Sequence, residues 1–173
     1  MKIIDFHNHH YPPEYIEALR AEQGAVTVTD DTNGNPVLHS PGDYNVAVPG
    51  HRDITFREQV LDEAEIDMQV LTLTSPGTHL SSPAQSVALA RTVNDCFAAT
   101  IHENPDRFTA LGTLPLNDPE ASVIELERAV LELGLRGIML YSNVNGVPLY
   151  HESFLPLYEK ADELNAVLYI HPI

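Results

Sequence analysis

Five short, continuously apolar runs, each bounded by turn residues and separated by segments of helical period, restrict this chain to a few folds. They occupy residues 2–6, 68–74, 108–114, 137–141 and 166–170. Apolar character that is continuous rather than alternating describes strands covered on both faces, as in a parallel sheet. The last three runs begin at 108, 137 and 166, and that even spacing matches one strand, loop, helix and return loop. Alternating strands and helices predict an α/β fold. With 173 residues, 43% of them apolar, the chain has room for one domain with a sizeable core.

The segments between the runs carry helix signals. Ser82-Pro83-Ala84-Gln85 reads as an N-cap, a first-turn proline and a capping-box glutamine. Val93, Cys96, Phe97 and Ile101 follow near helical spacing, and Asn104-Pro105 ends the helix. Asp118-Pro119 opens the next helix, with Val123, Leu126, Val130 and Leu133 as its buried stripe and Gly134 as its C-terminal cap. Phe154, Leu157, Tyr158, Ala161 and Leu164 repeat the design. The interval from Phe6 to Met68 is longer than one unit needs: beside a helix near 56–65 it holds an insertion at about 20–53. There, residues 25–29 and 36–40 flank Thr32-Asn33-Gly34-Asn35, which predicts a hairpin with an Asn-Gly turn, placed to cover a site as a lid.

Charge excludes several functions. Nine Lys and Arg stand against 25 Asp and Glu, a net charge of −16. Lys2 and Lys160 are the only lysines and the arginines are scattered, so no basic stripe exists for nucleic acid or an anionic membrane. No apolar run approaches the roughly 18 residues of a membrane span. Cys96 is the single cysteine and reads as a small core residue that forms no internal disulfide. No apolar signal region follows Met1, which with the lone cysteine leads to the expectation of a cytoplasmic protein. Gly-x-Gly-x-x-Gly, P-loop and Gly-x-Ser-x-Gly segments are absent from the sequence, leaving nucleotide binding and serine hydrolysis without support.

The strongest local feature is Asp5-Phe6-His7-Asn8-His9-His10 at the end of the first run. Strand side chains alternate, so Asp5, His7 and His9 project to one side. Nine histidines in 173 residues produce about half of one His-x-His pair by chance, so the spacing alone says little. Position says more: the pair ends a parallel strand, where ligands bind in such sheets, and His171 ends the fifth run just before Pro172. Two readings follow. His7, His9 and His171 form a metal centre, or they are polar strand-end and turn residues bonded to loops. His10 and His79 lie in loops from which they could line a pocket, whereas His39, His51, His102 and His151 are expected in solvent.

Asp5-Phe6-His7-Asn8-His9, Asn104-Pro105-Asp106-Arg107-Phe108, Gly134-Leu135-Arg136-Gly137-Ile138 and Tyr169-Ile170-His171-Pro172, in this order and spacing, resemble the amidohydrolase superfamily. The similarity is to the amidohydrolase-related branch that includes aminocarboxymuconate-semialdehyde decarboxylase and related aromatic-acid decarboxylases. It implies an α/β fold of (β/α)₈ TIM-barrel type, of which residues 1–173 hold about the first five strands, with a β-hairpin insertion after strand one. It also implies a divalent metal held by His7, His9 and His171. Zinc is the expected ion for a nitrogen-rich site, with manganese and magnesium as alternatives. The branch adds a strand-eight Asp ligand and a strand-six acid/base His, which would lie beyond Ile173, so the catalytic acid/base is unassigned. The isolated chain is therefore expected to be inactive and to self-associate as a homo-oligomer through open strand edges.

Phe56-Arg57-Glu58-Gln59-Val60-Leu61-Asp62 approximates the branch's Arg-x-x-x-Met-Asp, with Leu61 in place of Met. The resemblance implies that Arg57 binds a substrate carboxylate, for which a guanidinium fork is suited. The alternative is a solvated arginine paired with Glu58 or Asp62. His10 is the second expected substrate contact. The function so implied is a metal-dependent carboxy-lyase acting on small unsaturated or aromatic carboxylic acids. Its alternatives are a metal-dependent hydrolase of a lactone, ester or amide, and a non-catalytic remnant that self-associates.

Overall fold

A computed structural model describes residues 1–22 and 24–172. In chain order its elements are β1 (Ile4–Asp5), α1 (Pro13–Ala21), β2 (Thr27–Asp30), β3 (Pro36–Ser40), β4 (Asp43–Val46), α2 (Pro49–Arg52), α3 (Ile54–Glu63) and β5 (Met68–Leu71). There follow α4 (Pro83–Glu103), β6 (Phe108–Ala110), α5 (Pro119–Leu131), β7 (Gly137–Tyr141), β8 (Asn143–Val144), β9 (Val147–Pro148), α6 (Leu155–Glu163) and β10 (Val167–His171).

The five apolar runs become five parallel strands. β1, β5 and β6 pair in that order, and β7 pairs with β10. A parallel bridge between Gly112 and Ile138 joins the two groups where the third run bends after Ala110. The spatial order is therefore the chain order, with α3, α4, α5 and α6 in the connections, as the sequence predicts. α4 carries the expected capping box between Ser82 and Gln85, and Asp118 accepts from the Ala121 amide at the start of α5. Gly134, with φ +71°, turns the chain after α5. The helix α1, opened by Pro12-Pro13, has no counterpart among the sequence expectations; it buries Tyr15, Ile16 and Leu19.

One core packs α1 and α4 on β5 and β6, centred on Tyr15, Leu71, Val93 and Phe97. A second packs α5 and α6 on β7 around Leu126, Ile138, Leu140 and Leu157. Only part of the expectation that every run is covered on both faces holds. Every residue of β7 is buried, whereas its partner β10 leaves Val167, Leu168 and Ile170 exposed, and Ile4 of β1 is exposed as well. The physical reason is position: β1 and β10 are the outer strands of the five, each with one unpaired backbone edge among the described residues.

Close approach of β7 and β10 depends on Gly137. A Cβ there would lie 2.0 Å from the Val167 carbonyl oxygen, and its φ of +151° favours glycine. From that contact the two strands stay in register for five residues, pairing Val167 with Gly137 and, at the far end, His171 with Tyr141.

Between α1 and α2 the chain forms an antiparallel sheet in the order β2-β3-β4. The expected hairpin is present, with Thr27 opposite His39 and Asp30 opposite Pro36, and β4 adds a strand the sequence reading missed. Its turn differs from the expected Asn-Gly type. The Asp31 carboxylate accepts from the Asn33 and Asn35 amides, both at 2.8 Å. Gly34 alone in this turn is left-handed, so a longer loop is organised around one Asx side chain.

Candidate metal centre and adjoining cavity

His7 and His9 follow β1, and His171 ends β10. The curl of the five strands brings these two ends together. Ring centroids stand 5.1 Å apart for His7 and His9, 5.1 Å for His7 and His171, and 5.0 Å for His9 and His171. Each residue offers one ligand atom, and the three atoms lie within 4.8 Å of one another. Two imidazole nitrogens on a tetrahedral ion with bonds near 2.0–2.1 Å are about 3.4 Å apart, so side-chain adjustments on the ångström scale close the group around one ion. His171 Nδ1 is buried without a hydrogen-bond partner.

Neighbours orient these rings. Thr72 Oγ1 donates to the Asn8 carbonyl at 2.6 Å, which leaves it to accept from His9 Nδ1 at 3.2 Å. That fixes the His9 tautomer with its Nε2 lone pair free. Tyr169, two residues before His171 on the same strand face, sets its hydroxyl 2.9 Å from His7 Nδ1 and packs its ring edge-on to Phe6. Burial, followed by the charges of His171 and His7, pulls His9 down to about 4. Neutral imidazoles with available lone pairs are what a metal requires.

The even-numbered residues of the same stretch turn the other way. Asn8 Nδ2 donates to the Val70 carbonyl at 3.0 Å, binding the stretch to β5. Arg57, reaching in from α3, donates to Asn8 Oδ1 at 2.7 Å, to Gln69 Oε1 at 3.0 Å and to the His9 carbonyl at 2.5 Å. Gln69 passes the connection on to Asp5 at 2.7 Å. Burial lowers the Arg57 guanidinium to about 10 while Asp5 opposes the shift, so it stays charged at neutral pH. Arg57 is thus neither the solvated arginine of the alternative reading nor a wall of the cavity beside His171. His10 is buried against Phe97 and lines a different cavity, with Glu14, Arg52 and Cys96. Strand alternation sends His10 away from His9, and the structure does not bring it to the three clustered histidines.

A cavity of about 560 Å³ opens beside His171. Its walls are Thr74, Ser75, Pro76 and His79 from the loop after β5, and Ser40, Asp43 and Asn45 from β3 and β4. The three-stranded insertion therefore does form one wall, as a lid would. Three tyrosine hydroxyls hold the opposite wall in place. Tyr11 donates to the Ser75 carbonyl at 2.6 Å, Tyr15 to Gly77 at 2.6 Å and Tyr141 to Leu73 at 3.1 Å. A Cβ on Gly77 would meet the Tyr141 hydroxyl at 2.7 Å, so glycine lets the clamp close. Sequence reasoning missed the supporting contacts of Asn8, Gln69, Thr72 and Tyr169. Of these Tyr169 alone had a readable signal, its two-residue offset from His171.

The family described as amidohydrolase matches residues 4–172, and the chain belongs to it. The 2-amino-3-carboxymuconate-6-semialdehyde decarboxylase of Dictyostelium discoideum is 41% identical over 121 residues, covering 69% of this chain and 34% of that protein. Among solved structures, 5-carboxyvanillate decarboxylase LigW from Sphingomonas paucimobilis superposes with a TM-score of 0.81 at 29% identity, covering 99% of this chain and 52% of the other. The 5-carboxyvanillate decarboxylase of Novosphingobium aromaticivorans, complexed with manganese and 4-hydroxy-3-methoxy-5-nitrobenzoic acid, gives 0.80 at 29% identity, covering 99% and 50%. The chain spans about a third to a half of the length of these relatives. Its five parallel strands are the corresponding part of a TIM-type barrel. Among the described residues no helix is long and apolar enough to cross a membrane.

Proposed function

We propose that the protein is a metal-dependent carboxy-lyase that removes carbon dioxide from small aromatic or unsaturated carboxylic acids. The observation that carries the reading is the convergence of His7, His9 and His171 beside a cavity of about 560 Å³. The curated relatives supply the reaction class, since those named above are decarboxylases. A divalent ion held by the three histidines supplies Lewis-acid charge for the substrate's oxygen atoms. Zinc is the ion we propose, because imidazole nitrogens dominate the donor set; the manganese in a relative makes that ion the one to test against it.

In this reading the chain's own residues have separate duties. Thr72 and Tyr169 orient His9 and His7, and the loop after β5 and the insertion enclose the substrate and exclude water. Arg57 and His10, expected from the sequence to touch substrate, are proposed instead as supports. Both terminal nitrogens of Arg57 already donate to protein acceptors, and they hold the stretch that carries the ligands. We further propose a cytoplasmic homo-oligomer.

The test is release of carbon dioxide from a panel of benzoic and unsaturated acids by full-length protein loaded with zinc or manganese. Metal-dependent release from at least one acid is expected. Hydrolysis of lactones or esters with no carbon dioxide from any acid would sink the proposal.

A further inference from the structure

An asparagine followed by glycine can react with its own backbone, because a glycine without a Cβ leaves its amide nitrogen sterically open to the side chain before it. Two such pairs occur in the chain, Asn33-Gly34 in the turn between β2 and β3 and Asn145-Gly146 in the turn between β8 and β9. Both asparagines are exposed. In each pair the glycine amide already donates, Gly34 to the Asp31 carbonyl at 3.0 Å and Gly146 to Asn143 Oδ1 at 2.9 Å. That protection is shared and does not separate them.

The asparagine side chains do separate them. Asn145 Nδ2 donates to the His79 carbonyl at 3.0 Å, and the Asn145 backbone is left-handed, φ +52°, in a two-residue turn closed by the pairing of Val144 with Val147. At Asn33 only the backbone amide is held, by Asp31 Oδ1 at 2.8 Å, and the side chain makes no hydrogen bond among the described residues. Turning the Asn145 amide carbon towards the Gly146 nitrogen therefore breaks a hydrogen bond that Asn33 does not have. One net bond slows a reaction by about two- to tenfold.

We propose that Asn33 is a site of spontaneous deamidation and that Asp31 sets its rate. The Gly34 backbone nitrogen gives up its proton to solvent and bonds to Asn33 Cγ; the Cγ–Nδ2 bond breaks, and the amide nitrogen takes a proton and leaves as ammonia. Water opens the resulting succinimide at either carbonyl, giving aspartate or, with the backbone now running through the side-chain carbon, isoaspartate. The Asp31 carboxylate opposes this by holding the amides of Asn33 and Asn35, both at 2.8 Å, and Asn35 Nδ2 at 3.0 Å. Conversion places a second carboxylate beside it, and the like charges repel. The turn that this loosens follows the pairing of Asp30 with Pro36, whereas Ser40 at the far end of β3 lines the cavity beside His171.

The experiment is peptide mapping by mass spectrometry of full-length protein held in mildly alkaline buffer, with aspartyl and isoaspartyl products resolved by chromatography. Asn33 is expected to convert about fivefold faster than Asn145, within the range set by one hydrogen bond. Asp31→Ala is expected to speed Asn33 a further severalfold and to leave Asn145 unchanged, because backbone bonds are lost at one turn only. Should that variant lose the hairpin, Asp31→Asn, which keeps one acceptor oxygen, carries the test with a smaller acceleration. Conversion of Asn145 as fast as Asn33, or none at Asn33 while a peptide of residues 27–40 converts, overturns the site. A rate at Asn33 that neither substitution raises overturns the role of Asp31.

Discussion

His7 and His9 differ from Asn8 and His10 by one step along the same four residues, yet the two pairs live in different chemistries. The odd pair meets His171 across the strands, with one ligand-capable atom of each residue within 4.8 Å of the others. The even pair is held from behind, Asn8 by Arg57 and the Val70 carbonyl, His10 by burial against Phe97. The difference teaches that a cluster of histidines on a two-residue repeat needs its alternate residues as much as the clustered rings. The polar chain from Asp5 through Gln69 and Arg57 to Asn8 and the His9 carbonyl fixes the backbone from which the imidazoles project.

That contrast can be broken most severely on the ligand side. His171→Ala removes the one ligand supplied by β10 and is expected to weaken zinc binding by more than about a hundredfold, read by competition with a chelator, while the circular dichroism spectrum is retained. On the supporting side, Arg57→Met is expected to weaken zinc binding by about 10–100-fold, with Arg57→Lys recovering only part because an ammonium cannot fork to Asn8, Gln69 and His9 together. Unchanged metal affinity with a raised KM for the acid would instead return Arg57 to direct substrate contact.

A third test uses pH. Burial lowers His79 from 6.5 to about 4. Between those values the unfolded chain binds a proton that the folded one refuses, so the contribution to stability is complete above about pH 6.5 and is lost as pH falls towards 4. At pH 5 the loss is about 2 kcal/mol, seen as a lower melting temperature of the metal-free protein, and His79→Phe should flatten that slope. An unaltered slope in the variant would assign the acid sensitivity to other groups. The smallest effect belongs to Thr72→Val, which deletes the acceptor of His9 Nδ1. A severalfold loss of zinc affinity is expected, on the order of one net hydrogen bond, and no loss would mean that ring packing alone orients His9.

The odd side of this comparison was legible in the sequence because its signals are local. Alternation put His7 and His9 together, and the repeat length put His171 at an equivalent strand end. The parallel order, the α4 capping box and the Gly134 turn were legible for the same reason. The even side was not. Arg57 is separated from Asn8 by 49 residues, and a matching motif suggested a substrate contact where the fold supplies buried acceptors. Thr72 gave no sign at all, since a threonine after a strand acquires its contact with His9 only when distant segments meet. The Asn33-Gly34 turn misled because the nearby Asp31 carboxylate offered the backbone amides a better partner.

At Gly137 the side chain is a hydrogen atom, and β10 lies directly against it. Displacing β10 there would carry along every residue in its register, including His171 four positions further on. To a mutational survey, this codon would therefore resemble a histidine codon of the cluster: intolerant of alanine, lost together with the three histidines when their joint function is selected, and silent about why, because the residue itself offers no ligand atom.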